Sequence, residues 1–270
     1  MAVTGDGSAE NPYVVTTYAE LVEKAAESGK YVKVGNDINI TDEYPNGDKP
    51  QLTLNNHIDG DGKTIANWYK TTTGYDIIVN SGGQVENLKI KNIYKTYSYE
   101  FMDFRGGNAG YHFINCDFSG VTAGIFMQAV DSYGSTNNFK SCSFNISITR
   151  SDGNGRFVSN SWSYIGLKDC YLKFKTVNDT TIFGTSRDTF VDGCYIEANA
   201  PLGTYNIVKN SVCDLTTSAT FTLSGNSSNA LNIFNTDHAP NATAGGGFAG
   251  VSDENWLNTT YLNSIGFNAG

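Results

Sequence analysis

Apolar and polar residues alternate along this chain in short bursts, and each burst is broken by one polar residue before the alternation restarts. The broken pattern returns as VENLKI (Val85 to Ile90), FINCDF (Phe113 to Phe118), FKSCSF (Phe139 to Phe144), LKDCYL (Leu167 to Leu172), FVDGCYI (Phe190 to Ile196) and IFNTDH (Ile233 to His238). Alternation predicts strands, and the interruption predicts a tight bend joining two of them. The residues predicted at the bend are Asn87, Asn115, Ser141, Asp169, Gly193 and Asn235. Asn, Asp and Gly are types that tolerate a left-handed backbone. One residue after the bend stands Leu88, then Cys116, Cys142, Cys170 and Cys194, at steps of 28, 26, 28 and 24 residues. Ser211 is expected to take the cysteine's place in the next coil. A period in this range means a stacked repeat.

A second strand-like column lies midway between these units: Ile77 to Val79, Phe101-Met102, Ile125 to Met127, Phe157-Val158, Ile182-Phe183 and Phe221 to Leu223. No helical period separates the columns. The expected fold is therefore all-β: a single-stranded, right-handed parallel β-helix of about six to eight coils. Equivalent cysteines in successive coils point the same way, so they are expected as free thiols inside an apolar stack, and Cys213 keeps the same inward parity.

The ends differ from the middle. Thr17-Tyr-Ala-Glu20 is a capping box opening a helix over Thr17 to Ser28, with Leu21, Val22 and Ala25 on its apolar side and Gly29 after it. An open solenoid end exposes strand edges and core, so this helix is expected to plug it. Residues 1–40 are predicted as an N-terminal cap, 41–243 as the coils, and 244–270 as a Gly-rich hinge plus a helical tail. In that tail Ser252 is the expected N-cap. Trp256, Leu257, Tyr261 and Ile265 form an apolar stripe that continues to Phe267, giving a candidate partner-docking surface or a cap folding back on the last coil.

The opening GDGSAENPYVVTTYAELVEKAAESGKYVKVGNDINI, followed by IDGDGKTIANW (Ile58 to Trp68), resembles that of β-helix proteins found on bacterial surfaces and in bacteriophage particles. The resemblance covers about the first 90 residues and implies the pectin-lyase-like architecture. The short tail ending in a Leu-x-x-Ile-Gly-Phe-like sequence is similar to tails of phage β-helix proteins. That architecture also hosts polysaccharide lyases and hydrolases. Of the hydrolase signature only Asn235-Thr236-Asp237 occurs here, at a predicted bend, without the paired Asp, G-H-G or R-I-K.

Candidate chemistry is sparse. Asp103 and Arg105, with Gln128 and Asp131 one coil on and Arg156 and Arg187 beyond, are the residues that could form a carboxylate site. His57, His112 and His238 are scattered, and Asp59 to Gly62 lacks the calcium-loop spacing. No cofactor and no metal are expected. Tyr94, Tyr97 and Tyr99, with Trp162 and Tyr164, are candidate glycan or protein contacts, because tyrosine supplies contact area at low entropy cost. A net charge of −9 without a basic cluster excludes nucleic acid as a natural partner, and no apolar run reaches membrane-spanning length.

The expected role is a non-enzymatic phage virion component, a rigid rod that contacts other virion proteins and a host glycan or receptor, with a trimer as one assembly. The opening MAVTG carries no secretory pattern, which points to the virion as location, with the bacterial surface as the other. A tailspike-type polysaccharide depolymerase and a bacterial surface adhesin are the alternatives.

Overall fold

The computed structural model describes residues 3–69, 74–95, 100–106, 110–129, 138–150, 155–159, 165–177, 181–183, 189–203, 206–217, 219–223, 232–245, 247–256, 258–265 and 267. Short parallel strands stack into three long sheets, so the chain is an all-β parallel solenoid. Sheet A has nine strands, from Tyr13–Val15 to Asn206–Lys209. Sheet B has ten, from Ile38–Asn39 to Phe248–Val251, and sheet C has five, from Leu52–Leu54 to Arg156–Val158. Eight steps of ~4.8 Å along sheet A give a stack of about 38 Å.

The predicted bends join sheets A and B. Asn87, Asn115, Ser141 and Asp169 have φ between 52° and 56°, and Gly193 has φ 65°. At Gly193 a Cβ would come within 2.6 Å of the Asp169 carboxylate below it, so a larger residue there would have to displace that side chain. Asn210 continues the row at φ 50°. Asn115 Nδ2 donates to Asn87 Oδ1 at 2.8 Å, and Asn87 Nδ2 to Asp59 Oδ1 at 3.2 Å, so the bend side chains bond along the rod axis.

Behind each bend the core is stratified. Leu88, Cys116, Cys142, Cys170, Cys194 and Ser211 form one buried row, and all five cysteines are free. Each thiol of the row donates to the carbonyl two residues before it: Ile114, Lys140, Lys168 and Asp192, at 3.2–3.4 Å. Ser211 Oγ repeats that bond to Lys209 O at 2.6 Å. Burial holds the Cys142 thiol far above its ordinary pKa, and pushes Cys213 up to about 12. Phenylalanines stack beside this row: Phe113 on Phe139 at 5.2 Å, Phe118 on Phe144 at 5.1 Å, and Phe126 on Phe157 at 5.4 Å.

At the first coil, α1 (Tyr18–Ala25) takes the place of a sheet C strand. Its capping box forms as predicted, Thr17 Oγ1 accepting from Glu20 N–H while the Glu20 carboxylate accepts from Thr17 N–H. Tyr18, Leu21 and Ala25 are buried in the main core, and Asn55 N–H donates to Ala25 O, which ties the helix to the edge of sheet C. A one-turn helix, α2 (Ile40–Glu43), sends Glu43 back to accept from Tyr18 and Ala19 N–H.

Four boundaries differ from expectation. Strands Tyr13–Val15, Tyr31–Val34 and Ile38–Asn39 already belong to sheets A and B, so stacking begins inside the segment assigned as a cap. The Gly-rich stretch 244–250 is no hinge: Phe248–Val251 pairs with Asn232–Asn235 as the last strand of sheet B. Among the described residues Phe221–Leu223 pairs with Ala242–Ala244, outside sheet C. Finally, register sets Cys213 beside Phe234, so Ser211 aligns with Asn232, and Asn235 lies beyond the bend position. Asn235 is fully buried and accepts from Asp237 and His238 N–H, an internal turn that sequence periodicity placed three to four residues out of step.

Candidate functional site

A left-handed residue between two strands turns the corner without a loop, and the outer side of that corner is concave. In this chain it forms a groove of ≈ 390 Å³ along the rod, floored by Asn87, Asn115, Ser141 and Asp169. Lys89, Asp117, Ser143 and Tyr171 form its sheet B wall, and register continues that row beyond the groove to Thr64 at one end and Tyr195 at the other. The groove opens to solvent, and its floor presents amide, hydroxyl and carboxylate groups that can both donate and accept. In that row, Tyr171 and Tyr195 stack at 5.7 Å with an interplanar angle of 22°. Tyr171 is 40% exposed and its hydroxyl donates to Glu197 Oε2 at 2.8 Å. Partial burial, then the Glu197 carboxylate, holds the Tyr171 phenol above its ordinary pKa, so it stays a neutral platform and donor.

A second polar cluster lies on the outer face of sheet C. Ile78, Asp103 and Gln128 are register partners there, between neighbours that point into the core. Asp103 is nonetheless wholly buried. Arg105 Nε donates to Asp103 Oδ2 at 2.7 Å, Gln128 Nε2 lies 3.4 Å from Oδ1, and Gln128 also bonds the Tyr75 hydroxyl. Arg105 stacks over the Tyr75 ring at 5.5 Å. Glu100 is buried nearby, and burial raises its carboxyl pKa. Arg156 is on the next strand of the same sheet, while Asp131 and Arg187 lie outside the described residues.

Below this cluster, Asp76 occupies the place that Phe101 and Phe126 take in higher coils. Its carboxylate is fully buried between two lysines, Lys49 and Lys95, with Lys95 Nζ at 2.8 Å and also bonded to Gly74 O. The Lys49 ammonium sits 4.9 Å from the Trp68 ring centroid, a cation–π contact that helps replace its lost water. This is a structural lock, sealed from solvent.

Of the predicted tyrosine and tryptophan contact residues, Tyr94 alone is among the described residues. Tyr94 is 49% exposed and leans on Tyr69 at 6.3 Å, whereas Tyr97, Tyr99, Trp162 and Tyr164 lie outside the described residues. The tail is not one helix from Ser252. A 3₁₀ turn, Asp253–Asn255, is followed by α3 (Thr259–Ser264), whose N-cap is Asn258, accepting from Tyr261 N–H. Trp256, Tyr261, Ile265 and Phe267 are half-buried against the chain's own Ile233, Val251 and Leu262, and Leu257 is outside the described residues. Of the histidines, His57 bonds Glu86 at 2.9 Å, and His112 is buried between Gly83 O and Gly106 O. Among the described residues no group of three or more His, Cys, Asp or Glu could hold a metal ion, and no helix is long and apolar enough to cross a membrane.

Sequence reasoning missed Tyr171 and Tyr195 as residues of the wall row. The signal was present: both follow the cysteine directly in their repeats, so they must share a row. Comparison with known proteins found no matching family model, no matching curated protein and no matching solved structure.

Proposed function

We propose that this chain acts by contact, as a rigid rod whose lateral groove binds an extended partner, and that it is a non-enzymatic structural or host-binding component of a bacteriophage particle. The observation that carries the contact reading is the groove itself, with its repeated polar floor and the tyrosine pair along its wall row. A partner lying along the rod meets a polar group at the same position in each successive coil of the groove, which suits a glycan chain or an extended protein segment. The particle assignment is supported by the resemblance of the first 90 residues to β-helix proteins of phages and bacterial surfaces.

One observation favours a second reading, a polysaccharide depolymerase: Asp103 and Glu100 bring two buried carboxyls to the outer face of sheet C. Against it, Asp103 is closed from solvent and held by Arg105 and Gln128, whereas a catalytic carboxylate must reach substrate. The test is incubation of the purified chain with surface polysaccharide from candidate host strains, read by co-sedimentation and by the polymer's size distribution. Binding without shortening of the polymer is expected. Shortening that Asp103→Asn abolishes would replace the contact reading with the enzymatic one.

A further inference from the structure

The sheet B row that walls the groove continues past Tyr195 to Val212 and Ile233. There residues 252–256 and 258–265 fold back across it, and the small apolar cluster they form is separate from the main core. The Trp256 side chain lies close enough to Tyr195 to act on its phenol, so the tail reaches the last tyrosine of that row.

Where this segment leaves the rod, it is held by polar contacts converging on Asp253. Asn235 Nδ2 donates to Asp253 Oδ1 at 2.7 Å, and Asp253 N–H donates to Asp237 Oδ2 at 2.6 Å. His238 bridges the two sides: Nδ1 is 2.5 Å from Asp214 Oδ1 on the rod, and Nε2 is 3.6 Å from Asp253 Oδ1 on the tail. One imidazole therefore stands among three carboxylates, those of Asp214, Asp237 and Asp253. The neighbouring Glu197 is already engaged by Lys173 and Tyr171. Among the described residues no lysine or arginine pairs with Asp214, Asp237 or Asp253.

We propose that the described tail residues 252–256 and 258–265 are a strap that lies on the row continuing the groove wall past Tyr171 and is latched by His238 in its imidazolium form, so that loss of one proton releases it. With the proton, both ring nitrogens donate, one to the rod and one to the strap. Without it, one nitrogen has no hydrogen, and the ionised Asp214, Asp237 and Asp253 face one another across a neutral ring. The hydrogen bond to Asp214 raises the His238 pKa whether or not the strap is docked, since both groups belong to the rod, and the Asp253 carboxylate 3.6 Å from Nε2 raises it further only in the docked state. Strap docking is therefore complete below the pKa of a detached imidazole and weakens as the pH rises through the higher docked value. Each pH unit between the two pKa values weakens docking about tenfold. Release of the strap does not depend on what the groove binds; that release lengthens a binding surface rests on the contact reading above.

Fluorine NMR of the full chain labelled with fluorotryptophan tests this, from about pH 5.5 to about pH 9 across the histidine range. Trp256→Phe assigns the Trp256 signal, and Trp68, buried in the main core, is the internal control. The Trp256 signal is expected to move from a docked to a solvent-exposed position as the pH rises while Trp68 stays still. In His238→Gln the Trp256 signal should no longer respond to pH in this range. A Trp256 signal unmoved by pH in the natural chain overturns the proposal. So does a pH response that survives His238→Gln, or a Trp68 signal that shifts in step.

Discussion

Replacing Cys142 by aspartate puts the most searching question to the stacked core. The thiol is 2% exposed, between Cys116 and Cys170, and donates to Lys140 O at 3.3 Å and Phe113 O at 3.6 Å. A carboxylate there would face two carbonyl oxygens as an acceptor, with only the weak thiol donors of Cys116 and Cys170 in reach. Full burial without a partner raises a carboxyl pKa by about 3–5 units, worth about 4–7 kcal/mol above the raised pKa and about 4 kcal/mol at neutral pH. That is a large fraction of the stability of an ordinary domain. Because the folded-state pKa is raised, the loss is full above it and fades as the pH falls toward the unfolded value, where a neutral carboxyl can donate to Lys140 O as the thiol does. Cys142→Ser is the control, since Ser211 already bonds its own i−2 carbonyl in the same row, and it should cost only about 1–2 kcal/mol. Urea melts followed by circular dichroism, at neutral and mildly acidic pH, read both variants. If the two cost the same, or if the aspartate variant loses less than about 1 kcal/mol at neutral pH, the row is not the closed apolar stack described.

Other substitutions probe other parts of the rod. Asp76→Asn leaves Lys49 and Lys95 buried without their counter-ion and should cost about 3–5 kcal/mol in the same melts, with a smaller loss refuting the lock. Deletion of residues 1–30 removes the helix that buries Tyr18, Leu21 and Ala25 against the first coil, and light scattering should then report aggregation; a soluble monomer would show that the helix protects nothing. Tyr171→Ala, at a half-exposed rim, should leave the melt unchanged and weaken polysaccharide co-sedimentation, and unchanged retention would move the binding surface elsewhere.

The bends were legible because six coils repeat one local demand: a residue that accepts positive φ, followed by one that fits a narrow buried row. That demand leaves Asn, Asp, Gly or Ser next to Cys, Leu or Ser where it recurs. It failed at Asn235, where a buried side chain closing a turn on Asp237 and His238 has the same composition as a bend. The glycines at 245 and 250 were misread for a similar reason. A Cβ would meet Leu223 O at 2.5 Å at Gly245 and the Thr236 methyl at 2.6 Å at Gly250, so close packing, not freedom, selects them. The outer face of sheet C was half legible: alternation put Asp103 beside Gln128, but nothing local reveals that a residue turned away from the core is wholly enclosed. The groove walls required cross-coil register, which one strand's sequence does not contain.

The bend between sheets A and B carries a consequence for how such a rod can change over time. In each middle coil one left-handed residue separates the two sheets, and one added residue there would turn every following side chain to the opposite face. The corner leading into sheet C obeys no such rule: Gly124 alone joins Asp117–Ala123 to Ile125–Ala129, whereas residues 149–155 join Ser143–Ile148 to Arg156–Val158. Insertions can therefore accumulate at that corner at little thermodynamic cost. The grooved edge works as an invariant keel and the opposite corner as the margin where sequence is free to drift, so new specificities would arise by lengthening one side of the rod while the spacing along the other stays fixed.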